Sequence, residues 1–227
     1  DSDHYLSLFD DPGQEDFLGQ GVTTILGGNC GASLAPLIYG GLESVQKWTD
    51  IGKFNIDWHT VAELLSIFEK KPLGVNFGTL AGHSTIRRAL IGEAMRDLTA
   101  NELTVFVETL RRAMREGAFG LSTGLGYVHS RQTPYSEIKI LAEVVRERSG
   151  VYTTHLRKSG TGIGESIEET AKLFEETGVT TIVSHFLPLK GSEKEYEAAL
   201  SRIERLSPDA DFHFDIYPFE TTVLPLY

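Results

Sequence analysis

Gly150-Val151-Tyr152-Thr153-Thr154-His155 and, further along, Val179-Thr180-Thr181-Ile182-Val183-Ser184-His185 decide the fold. Each is a short β-branched run that ends in histidine. Between them, residues 163–177 carry Ile167, Ala171 and Phe174 at helical spacing, and Gly178 closes the stretch. The pattern is strand, helix, strand. Runs that are apolar or β-branched almost throughout are buried on both faces, which is the mark of a parallel sheet.

The same alternation extends in both directions. Val22-Thr23-Thr24-Ile25-Leu26, Leu73-Gly74-Val75-Asn76-Phe77-Gly78-Thr79 and Phe119-Gly120-Leu121-Ser122 read as earlier strands. Asp211-Phe212-His213-Phe214-Asp215-Ile216-Tyr217 reads as a later one. Thr99 and Glu102 form a capping box that opens a helix over 100–116, with Leu103, Val107, Leu110 and Met114 on one face and Gly117 at its end. Residues 137–148 follow Pro134 and carry Ile140, Leu141, Val144 and Val145; residues 193–206 carry Tyr196, Leu200 and Ile203. Strands alternating with helices predict an α/β fold.

Two architectures compete, an open doubly wound sheet and a (β/α)8 barrel. No Gly-x-Gly-x-x-Gly follows a strand with an acidic residue about 20 positions on. Thr161-Gly162-Ile163-Gly164 precedes a helix and reads as a loop hinge. By contrast Asn29, Cys30, Ser122, Thr123, His155, His185 and Tyr217 all stand at or just past strand ends, where barrels collect their chemistry. The expectation is an incomplete (β/α)8 TIM barrel forming a single domain over 1–227.

Composition narrows the function. With 227 residues, 41% hydrophobic and 23% charged, the chain builds a sizeable core and is neither disordered nor fibrous. No apolar run approaches the ~18–20 residues of a membrane span. A net charge of −11, from 21 basic and 32 acidic residues, disfavours nucleic acid as a partner. The single cysteine excludes an internal disulfide and fits a reducing, cytoplasmic setting. The chain opens at Asp1 with no signal-like segment. Nothing in the sequence bears on oligomeric state.

His155 and His185 end consecutive strands. Neighbouring strands lie ~4.8 Å apart, so imidazoles at matching ends can share one metal ion. Gly27-Gly28-Asn29-Cys30-Gly31 follows the first strand, and its glycines allow a sharp turn that presents Cys30 on the same rim. One thiolate and two imidazoles suit zinc and leave its fourth position open, as a catalytic site requires. The competing readings are two ordinary surface histidines and a small buried cysteine in a tight turn.

A series of motifs then resembles a known family. Gly21-Val22-Thr23-Thr24, Gly28-Asn29-Cys30-Gly31, Ser33-Leu34-Ala35-Pro36-Leu37 and Gly82-His83-Ser84-Thr85 come first. Gly117-Ala118-Phe119-Gly120-Leu121-Ser122-Thr123-Gly124-Leu125, Thr154-His155-Leu156-Arg157, Ser184-His185 and Asp215-Ile216-Tyr217-Pro218 follow. In order and spacing they resemble the N-acyl-D-amino-acid deacylases (D-aminoacylases) of the amidohydrolase superfamily of metal-dependent barrels.

The resemblance implies a zinc-dependent hydrolase that cleaves the amide of a small N-acyl-D-amino acid, with Cys30, His155 and His185 as Zn2+ ligands. It implies that His83 lines the pocket, with a structural hydrogen bond as the alternative. Tyr127 would meet the acyl group or side chain, and Arg157 would bind a carboxylate, with a surface ion pair as the alternative. Many relatives carry a lysine where this chain has Leu187, and Lys190 would substitute from the loop. His4, His59, His129 and His213 are expected to be structural or solvent-facing.

The family also has a small β-sandwich built from both termini. Its first barrel strand usually ends in a His-x-His-like motif; that strand is expected just before Asp1, which takes the place of a histidine. The family's catalytic aspartate ends the eighth strand and is expected beyond Tyr227, so the segment alone is expected to be inactive. Two other functions remain open: an amidohydrolase acting on a cyclic amide or dipeptide, and a non-catalytic metal-binding relative.

Overall fold

The computed structural model describes residues 3–39, 52, 55–216, 219 and 221. Two helices, α1 (Asp3–Asp10) and α2 (Glu15–Leu18), precede strand β1 (Thr24–Gly27). Strand β1 pairs in parallel with β2 (Asn76–Thr79), with Thr24 opposite Asn76 and Gly27 opposite Thr79. A second parallel sheet contains β3 (Ala81–Gly82), β4 (Gly120–Gly124), β5 (Val151–His155), β6 (Thr180–Val183) and β7 (Phe212–Phe214), in sequence order.

The two sheets meet at Leu80. The Leu80 N–H donates to the Gly27 carbonyl at 2.9 Å, and the Phe119 N–H donates to the Thr79 carbonyl at 2.9 Å. Strands β2 and β3 are therefore one run, interrupted where it changes partner. The sequence places a strand over 73–79; the structure starts it at Asn76 and continues it, past Leu80, through Gly82. Asp1 and Tyr217 lie outside the described residues.

Helices supply the crossovers that parallel strands need. They are α3 (Val61–Lys70), α4 (His83–Ile91), α5 (Ala100–Arg115), α6 (Tyr135–Glu147), α7 (Ile163–Thr177) and α8 (Glu193–Glu204). The capping box expected at Thr99 and Glu102 is formed, and Arg96 grips the same Glu102 carboxylate with two hydrogen bonds of 2.6 and 2.7 Å. Gly178 ends α7 with a left-handed φ of 63°, a conformation in which glycine carries no Cβ penalty.

Among the described residues the core falls into two clusters. One joins Leu8, Trp58, Leu64, Phe106, Leu110 and Tyr152 with their neighbours, and the other packs α7 and α8 against β6 and β7 through Ile167, Ala171, Val183, Ala199 and Phe212. Apolar burial stabilises at roughly 25 cal/mol per Å2 and sets the helices on the sheet. The C-terminal strand ends are thereby held in fixed register, which places the site.

Candidate metal centre

The Cys30 turn is assembled from backbone that glycine permits. Gly28, Cys30 and Gly31 have φ of 83°, 55° and 81°. The Gly31 N–H donates to Ser122 Oγ on β4 at 3.0 Å, and the Ser122 hydroxyl donates to the Gly28 carbonyl. The Thr153 hydroxyl on β5 donates to Asn29 Oδ1 at 3.2 Å. Two neighbouring strands thus bind the turn across their ends. The fit is close, because a Cβ on Gly124 would lie 2.2 Å from the Cys30 carbonyl oxygen.

His155 is the last residue of β5, paired with Gly124 of β4. His185 lies two residues past the end of β6, with φ 38°. Its N–H donates to Asp215 Oδ1 at 2.7 Å, and the Phe186 N–H donates to the Asp215 carbonyl at 2.8 Å. Asp215 itself is tied to β6, its N–H donating to the Val183 carbonyl at 3.0 Å. Burial pushes the His185 imidazole below its usual pKa, against the pull of Asp215. A neutral imidazole is the form that ligates metal.

These elements bring Cys30, His155 and His185 together. Cys30 Sγ is 3.5 Å from His185 Nε2, His155 Nδ1 is 2.9 Å from the same atom, and one donor atom from each of the three lies within 4.8 Å of the others. A tetrahedral zinc shell sets N···N near about 3.3 Å and N···S near about 3.6 Å. The donor types and spacing fit a zinc ion. Among the described residues they are the one such cluster of histidine, cysteine or carboxylate donors.

A cleft of about 640 Å3 opens beside the two histidines, lined among others by Tyr127, Arg131, Arg157, Lys158, Leu187 and Leu189. The Tyr127 ring stacks on His155 with centroids 4.7 Å apart, and His129 stacks on Tyr127 at 6.0 Å. His129 Nε2 is also 3.0 Å from Ser84 Oγ, in keeping with a structural part.

Of the substrate contacts expected from sequence, His83 and Arg157 stand in the alternative arrangements named for them, and Lys190 stands off the cleft wall. His83 does not line the cleft: it is wholly buried at the start of α4, with Nε2 2.8 Å from Glu137 Oε1. Arg157 does line it, but its fork is already engaged. Nε and Nη2 hold the Glu169 carboxylate at 3.0 and 2.8 Å, while Nη2 and Nη1 donate to the Thr133 and Arg131 carbonyls. Lys190 is exposed on a loop and is not among the cleft residues. Tyr127 stands on the cleft wall.

Asp215 is the residue that sequence reasoning leaves without a role. Its signal is positional, since it stands just past the end of β7 as the histidines stand at or just past the ends of β5 and β6.

No protein-family model matches the chain. D-aminoacylase of Alcaligenes xylosoxydans xylosoxydans is 32% identical over 206 residues, which is 89% of this chain and 42% of that protein. A crystal structure of D-aminoacylase, described as defining a novel subset of amidohydrolases, superposes with a TM-score of 0.81 at 30% identity, over 96% of this chain and 45% of that one. N-acyl-D-glutamate deacylase of Bordetella bronchiseptica, solved with zinc and a phosphonate inhibitor, gives a TM-score of 0.82 at 27% identity, over 94% and 45%. The chain is thus an α/β homologue of amidohydrolase enzymes. More particularly, it is a relative of D-aminoacylase and the N-acyl-D-amino-acid deacylases, and it spans less than half of their length.

Proposed function

We propose that the protein carrying this chain is a zinc-dependent hydrolase that deacylates small N-acyl-D-amino acids. The observation that carries the reading is the meeting of one thiolate and two imidazoles beside an open cleft, at C-terminal ends of parallel strands. The homologous deacylases supply the substrate class and its D configuration. On this reading the strands form part of a single (β/α)8 barrel domain, and the protein works in the cytoplasm. Among the described residues no helix is long and apolar enough to cross a membrane.

Cys30, His155 and His185 would hold the zinc. Such an ion supplies Lewis-acid polarisation of the acyl carbonyl and activation of water. The protein's own contribution is positioning. Ser122 and Thr153 fix the cysteine turn, and Asp215 fixes the backbone of His185. Tyr127 covers one face of His155 and so limits how that ring can turn. Phe186, Leu187 and Leu189 give the cleft an apolar wall suited to an aliphatic side chain or acyl group.

The test is hydrolysis of N-acetyl-D- and N-acetyl-L-amino acids by the zinc-loaded full-length protein. Release of free D-amino acid, with little from the L series, is expected. Inertness towards the whole panel, or preference for the L series, overturns the reading.

A further inference from the structure

We propose that Arg131 is the specificity residue of this site and binds the free α-carboxylate of the N-acyl amino acid. The inference rests on the deacylase reading and deepens it. Among the described residues three cations line the cleft: Arg131, Arg157 and Lys158. Two of them are already matched. Arg157 forks onto Glu169, and Lys158 Nζ is held by Glu165. Arg131 is exposed and makes no ion pair among the described residues. Among those residues its guanidinium donates a single hydrogen bond, from Nη2 to the Gly126 carbonyl at 3.3 Å. Several of its N–H groups therefore remain available to a planar, bidentate acceptor.

The position suits the substrate. The Ser130 and Arg131 N–H groups donate to the Tyr127 carbonyl at 3.0 and 2.9 Å, so Arg131 closes a turn that starts at the residue stacked on His155. Its side chain curls back to Gly126. That glycine lies against His155, because a Cβ there would stand 2.7 Å from Nε2, the ring nitrogen opposite the Nδ1 that meets His185. In an N-acyl amino acid the carboxylate carbon is about three bonds from the acyl carbon, at the reach of a charge-assisted hydrogen bond from a neighbouring cation. A carboxylate reader must therefore stand in the cleft that His155 and His185 line, and Arg131 does.

Its backbone is also held in advance. Arg157, locked by Glu169, donates to the carbonyls of both Arg131 and Thr133. The peptide is anchored while the guanidinium stays open, which lowers the ordering cost of binding.

N-methylsulfonyl-D-leucine, which has a sulfonamide in place of the scissile amide, and its primary carboxamide separate the possibilities. Calorimetry on the zinc-loaded full-length protein should show tighter binding of the carboxylate than of the carboxamide. Arg131→Gln should weaken the carboxylate Kd by about 10–100-fold, the loss of a charged hydrogen-bonded pair, and leave the carboxamide unchanged. Arg131→Lys should recover part of the loss, and KM for N-acetyl-D-leucine should rise with kcat nearly constant. Equal carboxylate binding by wild type and Arg131→Gln, or weakening on Lys158→Gln alone, overturns the assignment while hydrolysis by the wild type leaves the deacylase reading standing. A wild-type protein that neither hydrolyses N-acetyl-D-leucine nor binds either probe overturns both.

Discussion

His155 Nδ1 lies 2.9 Å from His185 Nε2, although the two residues are offset by one position in the register of β5 and β6. Ser184 stands opposite His155, its N–H donating to the Thr154 carbonyl at 2.9 Å. His185 comes one residue later and reaches its neighbour through a left-handed backbone that Asp215 secures. Bare ring nitrogens this close repel unless a proton or a cation lies between them. Cys30 Sγ, 3.5 Å from the same Nε2, turns the pair into a three-cornered donor set.

The thiolate corner is tested by Cys30→Ser in the full-length protein. Zinc content should fall well below one per chain. The cobalt-substituted protein should also lose its thiolate-to-cobalt charge-transfer absorption. A variant that retains zinc at the wild-type stoichiometry would show that Cys30 is a turn residue and no ligand.

Asp215→Ala should weaken zinc binding by about 10–100-fold, the usual effect of removing a group that orients a metal ligand. The mechanism is specific: the carboxylate accepts the His185 N–H and so stabilises a φ of 38°. Asp215→Asn keeps an acceptor at Oδ1 and should retain most of the affinity. Competition with a chelator measures both, and equal affinity in Asp215→Ala and wild type would remove Asp215 from the centre.

The fold was legible where period and chemistry agree. The strand ends at His155 and the helix over 163–177 follow from β-branched runs, an apolar stripe and a terminal glycine. Helix α3 carries the same capping signature, Thr60 with Glu63, yet the sequence reading names no helix there. The break at Leu80 was not legible, because a change of strand partner leaves no mark on local periodicity. Side-chain partners were the other gap. A sequence shows that Arg157 has a fork but not that Glu169 fills it, and it shows His83 in a glycine-flanked motif but not the buried Glu137 beneath it.

Two glycine substitutions separate close approach from ordinary helix preference. Gly124→Ala should drive its Cβ into the Cys30 carbonyl, displace the turn, and lower both zinc affinity and Tm. Gly164→Ala, in the first turn of α7 with open space around it, should be neutral or raise stability by up to about 1 kcal/mol. Thermal unfolding with and without zinc checks both. A Gly124→Ala protein that binds zinc normally would show that the turn is not held by this contact.

The buried network under α4 makes a pH prediction. Burial pushes the His83 imidazole below its ordinary value of 6.5, and the neighbouring Glu137 carboxylate does not reverse that. Burial alone would raise Glu137, but His83 and Arg87 more than offset it and hold the carboxyl below 4.5. Arg87 Nε is 3.0 Å from the same Oε1 that meets His83. Arginine and glutamate therefore carry the charge pair, and His83 stays neutral with its Nε2–H donating. His83 Nδ1 has no hydrogen-bond partner among the described residues, so a proton there would be buried and unsatisfied. The sign follows from linkage. Above pH 6.5 neither state binds a proton at this residue. As pH falls through 6.5, the unfolded chain takes up a proton that folded His83 resists, so stability declines by at most about 1.4 kcal/mol per pH unit. Glu137 adds its own loss only below 4.5. His83→Gln keeps a donor towards Glu137 and removes the titration. Urea midpoints of the full-length wild type and variant, measured from pH 7.5 to 5, should therefore show wild type losing more stability on acidification. A gap that moves in favour of wild type as pH falls would mean that His83 is protonated in the fold, with its pKa raised by Glu137.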